Sequence, residues 1–363
     1  MVGAAGGAGA VPGPAGRGVS ADVGDVSPAA LPAGREATSG RWVSLLLLAF
    51  GLAILAGFAA TANFRQIGEA LRRIQVILLG SAIAALALQL FVKAMRWRFM
   101  VHRLTGTRIS VRFGAISVVA GVAAGSVTPG RSFEMAKAIL LRGSYEIPLG
   151  LSTSAMIVER MLDIVFVVIA FLTAAAFVPT RMVLAGRVVV LVIAALVGGV
   201  ALVAAAPGLC SRWAGAVIRW APLPGRLRGR ALGLAETFFT TCQVLREQRT
   251  LWVLLLLTSA VAALDVARVA VVFRAMGIGL GLPLVAFAYL GAAMLGMALL
   301  IPGGVGVTEV SMAGLVAFLA PGAIPATVVR SAVLIDRFLS YYLIVLLGAG
   351  FLIAYHRYRR IFV

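Results

Sequence analysis

The stretch Pro302-Gly303-Gly304-Val305-Gly306-Val307-Thr308-Glu309 cuts an apolar run in two, with residues 283–301 leading in and 307–320 leading out. Proline lacks the N–H that an α-helix needs, and glycine accepts backbone angles that a helix excludes. Such a sequence therefore ends one helix and begins another. At membrane depth a break of this kind is tolerated only where protein or a wet cavity surrounds it. A second stretch, Thr128-Pro129-Gly130-Arg131-Ser132-Phe133-Glu134, breaks the chain in the same way. It lies between a Gly-rich apolar segment over 111–127 and a short helical piece over 132–142.

Away from the breaks the chain stays apolar. Of 363 residues, 61% are hydrophobic and 12% are charged, against roughly a quarter charged in a soluble domain. Apolar runs of ~20 residues match the ~30 Å hydrocarbon thickness of a bilayer. Long helices are expected over 42–62, 74–95, 150–178, 182–206, 251–273 and 326–354. The expected fold class is an all-α polytopic membrane protein. It has about six full transmembrane helices plus two broken or re-entrant pairs, over 111–142 and 283–320.

The net charge of +19 raises the question of nucleic acid. Nucleic acid is excluded as a partner because the basic residues sit between apolar runs rather than on a polar domain. Lysine and arginine collect on cytoplasmic loops, so the basic segments 93–112, 207–250 and 355–363 are expected in the cytoplasm. That puts both termini on the cytoplasmic side of the inner (plasma) membrane. The loop 61–73, with Arg65, Arg72 and Arg73, then falls outside despite its charge. Residues 1–40 are rich in Gly, Ala and Pro and read as a disordered cytoplasmic tail, without the pattern of a signal peptide. Residues 41–354 form the membrane domain, and 355–363 form a basic tail. Within 207–250, Ala231, Leu234, Phe238, Cys242 and Leu245 recur at helical spacing. They predict an amphipathic helix, lying either on the membrane surface or on the protein's own cytoplasmic face. Cys210 and Cys242 suggest neither a disulfide nor a metal motif, and His102 and His356 read as interfacial residues.

The chain also repeats itself. Pro129-Gly130 with Glu134 corresponds to Pro302-Gly303 with Glu309, and Ile157-Val158-Glu159-Arg160-Met161-Leu162 to Leu334-Ile335-Asp336-Arg337-Phe338-Leu339. The halves run over about 74–178 and 251–354. With every basic loop cytoplasmic, the two halves have opposite orientation, as in the inverted repeats of many secondary transporters.

Ionisable residues inside membrane helices cost at least ~2.5 kcal/mol each on insertion scales, so they mark candidate sites. Glu159 and Asp163 share a helix face, Asp265 and Arg268 are three apart, and so are Glu134 and Lys137. Together with Arg131, Arg160, Glu309, Asp336 and Arg337 they form the candidate set for a lipid headgroup. Pro129, Gly130, Pro302, Gly303 and Gly304 supply the breaks. Arginines would grip phosphate in pairs of hydrogen bonds, and carboxylates would compete for them. The same charges could equally lock the bundle as buried ion pairs. Gly121, Gly125, Gly291 and Gly296 read as close-packing positions. No catalytic set, metal cluster or nucleotide loop is present, so neither enzymatic activity nor a cofactor is expected.

At these residues the chain resembles the lysylphosphatidylglycerol synthase transmembrane-region family, the flippase-like domain. The likeness rests on Thr128 to Glu134, on Glu159-Arg160-Met161-Leu162-Asp163, on Pro302 to Glu309 and on Asp336-Arg337. The resemblance implies translocation of a lipid between leaflets, with aminoacylated phosphatidylglycerol the best-known substrate. The chain ends after its last helix, so the soluble aminoacyl-transfer domain of two-domain members is not expected. Phe133 and Thr308 stand where the family often has a small and a basic residue, so the headgroup is not fixed by the resemblance. The expected function is a flippase or transporter for an anionic or polyprenyl-phosphate-linked lipid. The alternative is a membrane-embedded enzyme or accessory subunit of envelope lipid or glycan synthesis, with a partner from that pathway.

Overall fold

The computed structural model describes residues 75–126, 134–178, 206–222, 224–299 and 301–357, with the single positions 56 and 198. The expected tail over 1–40, the span over 42–62, the loop 61–73 and nearly all of the span over 182–206 lie outside the described residues. So do Pro129, Gly130, Arg131 and the last basic residues, 358–363. Every described element is helical.

The first half holds α1 (Val76–Thr105), α2 (Val111–Ser126), α3 (Met135–Tyr145) and α4 (Leu149–Ala176). Two helices follow, α5 (Pro207–Trp220) and α6 (Gly225–Leu245). The second half holds α7 (Gln248–Ala275), α8 (Leu282–Ala298), a 3-10 turn at Pro302–Gly304 and α9 (Val307–Leu319). It ends in α10 (Ala326–Arg337), a π-turn at Phe338–Tyr342 and α11 (Leu343–Arg357). Local chemistry sets the boundaries. Gly106, at φ 72°, closes α1 by returning its N–H to the His102 carbonyl. Pro148, Pro224 and Pro325 stand just before α4, α6 and α10, where a missing N–H costs nothing.

Among the described residues, four helices are long and apolar enough to cross a membrane, by length and composition: Val76–Thr105, Gln248–Ala275, Pro302–Leu319 and Ala326–Ala354. The third begins in the 3-10 turn, and its regular part, α9, has only 13 residues. At 1.5 Å per residue α9 spans about 20 Å, short of the hydrocarbon thickness. α4 has 28 residues but carries Glu159, Arg160 and Asp163 in its middle. Large apolar side chains such as Ile77, Phe91, Trp252, Leu256, Leu346 and Ile353 point outward. Such a surface fits hydrocarbon rather than water.

α1 and α7 pack along their length and run antiparallel. At one end the Gln75 N–H donates to the Ala275 carbonyl at 3.2 Å; at the other Arg103 pairs with Glu247. On either side, α2 packs on α11 and α8 packs on α4. The first helix of each broken pair thus leans on the long helix of the other half. Gly348 permits one of these contacts. A Cβ there would strike the Val119 carbonyl oxygen and stand 2.6 Å from the Ala123 Cβ. Gly348→Leu is expected to destabilise the protein by about 1–3 kcal/mol through overpacking. Thermal unfolding in detergent reads this against Gly350→Leu, because Gly350 has open space around it.

Residues 207–250 form two helices because Pro222 and Pro224 interrupt them. The predicted stripe lies on α6. There Leu245 is buried, Ala231, Phe238 and Cys242 are half-buried, and Leu234 is exposed, so most of the stripe faces protein. α5 is arranged the other way. It turns Gly215 and Ile218 inward and exposes Leu209, Trp213, Val217 and Trp220 beside Arg212 and Arg219. Cys210 and Cys242 are free thiols. Burial, aided by the nearby Cys210, pushes the Cys242 thiol up to about 11.

Candidate functional site: paired charges inside the bundle

Arg96 organises the first half. It lies in the C-terminal part of α1 and is fully buried. Its Nη1–H donates to Asp163 Oδ1 at 2.6 Å and to Thr258 Oγ1 at 3.0 Å. Its Nη2–H donates to Glu159 Oε1 at 2.8 Å and to Asp163 Oδ2 at 3.2 Å. One guanidinium therefore ties α1 to α4 and α7. Glu159 also accepts from Lys137 Nζ at 3.1 Å through Oε2. Lys137 pairs in turn with Glu134, and its ammonium lies 5.1 Å from the Trp97 ring centroid. Glu134 takes Arg160 on its other oxygen. The Lys137 stem fits because Gly121 leaves room: a Cβ there would lie 3.0 Å from Lys137 Cε.

The second half repeats the plan. Arg268, also fully buried, pairs with Asp336 and reaches Asp265 at 3.4 Å. Arg337 Nε–H donates to Glu309 Oε1 at 2.8 Å. The two motifs match pair for pair: Arg96–Glu159 with Arg268–Asp336, and Arg160–Glu134 with Arg337–Glu309. Buried charge is costly in a membrane unless it is paired and hydrogen-bonded, and here nearly every charge is.

Arg337 also holds the break. Its Nη2–H donates to the Gly303 carbonyl at 3.1 Å, and its guanidinium stacks 4.7 Å from the Tyr341 ring centroid. Gly303, Gly304 and Gly306 have φ of 65°, 65° and 80°, a region that side-chain-bearing residues avoid. The π-turn widens the helix one step after Arg337 and brings the Tyr342 hydroxyl to Glu309 Oε1, where it donates at 3.0 Å. Gly296 lies against the break as well, its Cβ direction meeting Thr308 Oγ1 at 2.6 Å.

Of the predicted residues, Glu134, Lys137, Glu159, Arg160 and Asp163 meet around one node, and Asp265, Arg268, Glu309, Asp336 and Arg337 meet around another. Asp265 and Arg268 do touch, but the closer partner of Arg268 is Asp336. Sequence reading missed Arg96, which it took for part of a basic cytoplasmic flank. α1 continues ten residues past the expected end at 95, to Thr105, so Arg96 lies within the helix and is buried in the bundle. The repeat itself held the signal, because Arg96 and Arg268 are 172 positions apart, close to the spacing of the other repeated residues. Thr258 and Tyr342 were missed too, for want of any local pattern.

Partly open positions decide what a ligand can reach. Side-chain exposure is 38% for Arg160 and 24% for both Asp163 and Asp265, and Lys93 is half-buried. One turn beyond Asp163 on α4, a cavity of about 420 Å³ opens between α4, α7 and α8. Phe166, Ala170, Val266, Ala286 and Leu290 are among the residues lining it, and only Thr173 and Ser259 bring hydroxyls. The wall suits an acyl chain rather than a polar solute. Among the described residues no group of His, Cys, Asp and Glu could hold a metal ion.

Buried charges set in apolar, broken helices define a multi-pass membrane protein whose interior is built around polar chemistry. The sequence profile of the lysylphosphatidylglycerol synthase TM region matches residues 42–348, and the chain belongs to that family. Membership ties it to lipid biosynthesis or transport in the membrane. No curated protein matches the chain.

Proposed function

We propose that this protein moves a phosphate-bearing lipid, anionic or polyprenyl-phosphate-linked, between the two leaflets. The observation that carries the reading is the duplicated arginine–carboxylate motif on antiparallel halves, next to a cavity with an apolar wall. Halves of opposite orientation present one polar centre to each side of the membrane in turn, the plan of inverted-repeat transporters. Because the arginines are already engaged by carboxylates, a headgroup phosphate enters by exchange. It takes Arg160 while Glu134 and Asp163 let go, so little buried charge is ever left unpaired. The acyl chain would follow α4 into the apolar cavity. In this reading the chain transports without catalysing and needs no cofactor. It sits in the inner membrane with its basic loops and both termini cytoplasmic.

The test is leaflet exchange of a fluorescent phospholipid in liposomes holding the purified protein, read by quenching from outside. Arg160→Gln and Asp163→Asn are expected to slow exchange about tenfold or more, the worth of one charge-assisted hydrogen bond. Arg160 is more than a third exposed, so Arg160→Gln should lower thermal stability by less than about 1 kcal/mol. Asp163→Asn also weakens the hold on the buried Arg96 and should cost about 1–3 kcal/mol. Exchange at the wild-type rate in both variants, or no exchange above empty liposomes for the wild type, would sink the proposal.

A further inference from the structure

The two halves differ at one position in the middle of their matched networks. In the first half the Lys137 ammonium bridges two carboxylates, taking Glu134 and Glu159 each through Oε2. Glu134 and Glu309 correspond at a spacing of 175 positions, and the same spacing carries Lys137 to Met312, in each case one turn along the helix. Met312 is fully buried and offers no positive charge. The carboxylates that correspond to Glu134 and Glu159 are Glu309 and Asp336, both fully buried. Each uses one oxygen for its arginine, and each has a second oxygen, Glu309 Oε2 and Asp336 Oδ2, with no hydrogen-bond partner among the described residues. An unpartnered anionic oxygen away from water is among the costliest features a fold can carry.

We propose that the second half binds one monovalent cation, a proton or an alkali ion, at Glu309 and Asp336, in the role that the Lys137 ammonium plays in the first half. The cation joins a set of charges already fixed around it. Arg268 and Asp265 come from α7, and Arg337, Tyr341 and Tyr342 from α10 and the π-turn. Tyr289 of α8 lies under Arg268, with Lys93 of α1 in the field of Asp265. Within the second-half network two guanidiniums face three carboxylates, whereas the first half matches Arg96, Lys137 and Arg160 against Glu134, Glu159 and Asp163. Lys93 lies in the field of Asp265, and among the described residues the ion pairs of Glu309 and Asp336 are those with Arg337 and Arg268. A cation at this place would give a transporter a coupling ion, yet its binding is measured without transport and stands apart from the lipid reading.

The experiment compares unfolding temperatures of the purified full chain in sodium, potassium or choline chloride at equal ionic strength, and across a pH series in choline. Met312→Lys supplies the ammonium internally. If an alkali ion is the ligand, sodium or potassium raises the wild-type Tm by about 5 °C at roughly a hundred times Kd, and Met312→Lys loses that rise. If a proton is the ligand, the salts act alike. The wild type then loses stability as pH rises and the proton leaves, and Met312→Lys is flat over the same interval. Identical salt and pH responses in wild type and Met312→Lys overturn the proposal. Should Met312→Lys fail to fold, Asp336→Asn decides: a wild-type salt or pH response retained in that variant overturns the proposal equally, and its loss supports it.

Discussion

Arg96→Met is expected to lower stability by about 3–5 kcal/mol, the cost of removing one partner from a buried ion pair. Among the described ion pairs, the substitution leaves Glu159 with Lys137 and Asp163 with Arg160 at 3.9 Å. It also frees α1 from α4 and from Thr258 on α7. Thermal unfolding in detergent, or the folded fraction recovered from membranes, measures the loss. The companion variant is the informative one. Arg96→Met combined with Glu159→Gln and Asp163→Asn removes the charges together and should recover much of the stability, since neutral packing can replace a buried ion pair at little cost. Arg98→Met is the control. Arg98 donates to the Ile109 carbonyl at 2.7 Å and has no carboxylate partner among the described residues, so about 1 kcal/mol is expected. A loss for Arg96→Met no larger than for Arg98→Met would show that the node does not hold the bundle. Arg268→Met with and without Asp336→Asn should repeat the pattern in the second half.

Gly303→Ala carries the second large effect. The backbone at φ 65° costs a side-chain-bearing residue about 1–2 kcal/mol. The added Cβ also collides with the Tyr341 phenol, and overpacking adds about 1–3 kcal/mol. The two costs separate in a double-mutant cycle. Tyr341→Leu shortens the obstructing side chain, so Gly303→Ala should cost less in that background by roughly the collision share. An equal cost in both backgrounds would place the whole effect in the backbone. In leaflet exchange, Gly303→Ala is expected to fail along with the fold, because Arg337 gauges the break through the Gly303 carbonyl.

Which of these features could be read from the chain follows from how local their signals are. The break at Pro302-Gly303-Gly304 announces itself, because proline and glycine act on their own backbone. Glu159, Asp336 and Arg337 stand out as charges in apolar runs. Pairings do not stand out. A sequence suggests neighbours at three and four positions, and it offered Asp265 for Arg268, whereas the tighter partner is Asp336, 68 positions away. Arg96 was hidden by its company. It falls in a basic run, and the rule that places lysine and arginine in the cytoplasm ended the helix too early. That rule counts charges without asking whether a buried carboxylate on another helix awaits one of them. The outward apolar face of α5 was masked by a similar habit, because its tryptophans and leucine alternate with arginines and read as one polar interval with α6.

The π-turn at Phe338–Tyr342 has a mechanical meaning. It stores one extra residue between the ion-pair end of the last helix and the end that leans on α2. Were that turn to tighten to ordinary helical geometry, everything beyond it would rotate by one residue, about 100°. Tyr342 would swing away from Glu309, and Gly348 would no longer lie over Val119. One continuous helix thus carries both the Tyr342 contact to Glu309 and the seat of Gly348 on α2.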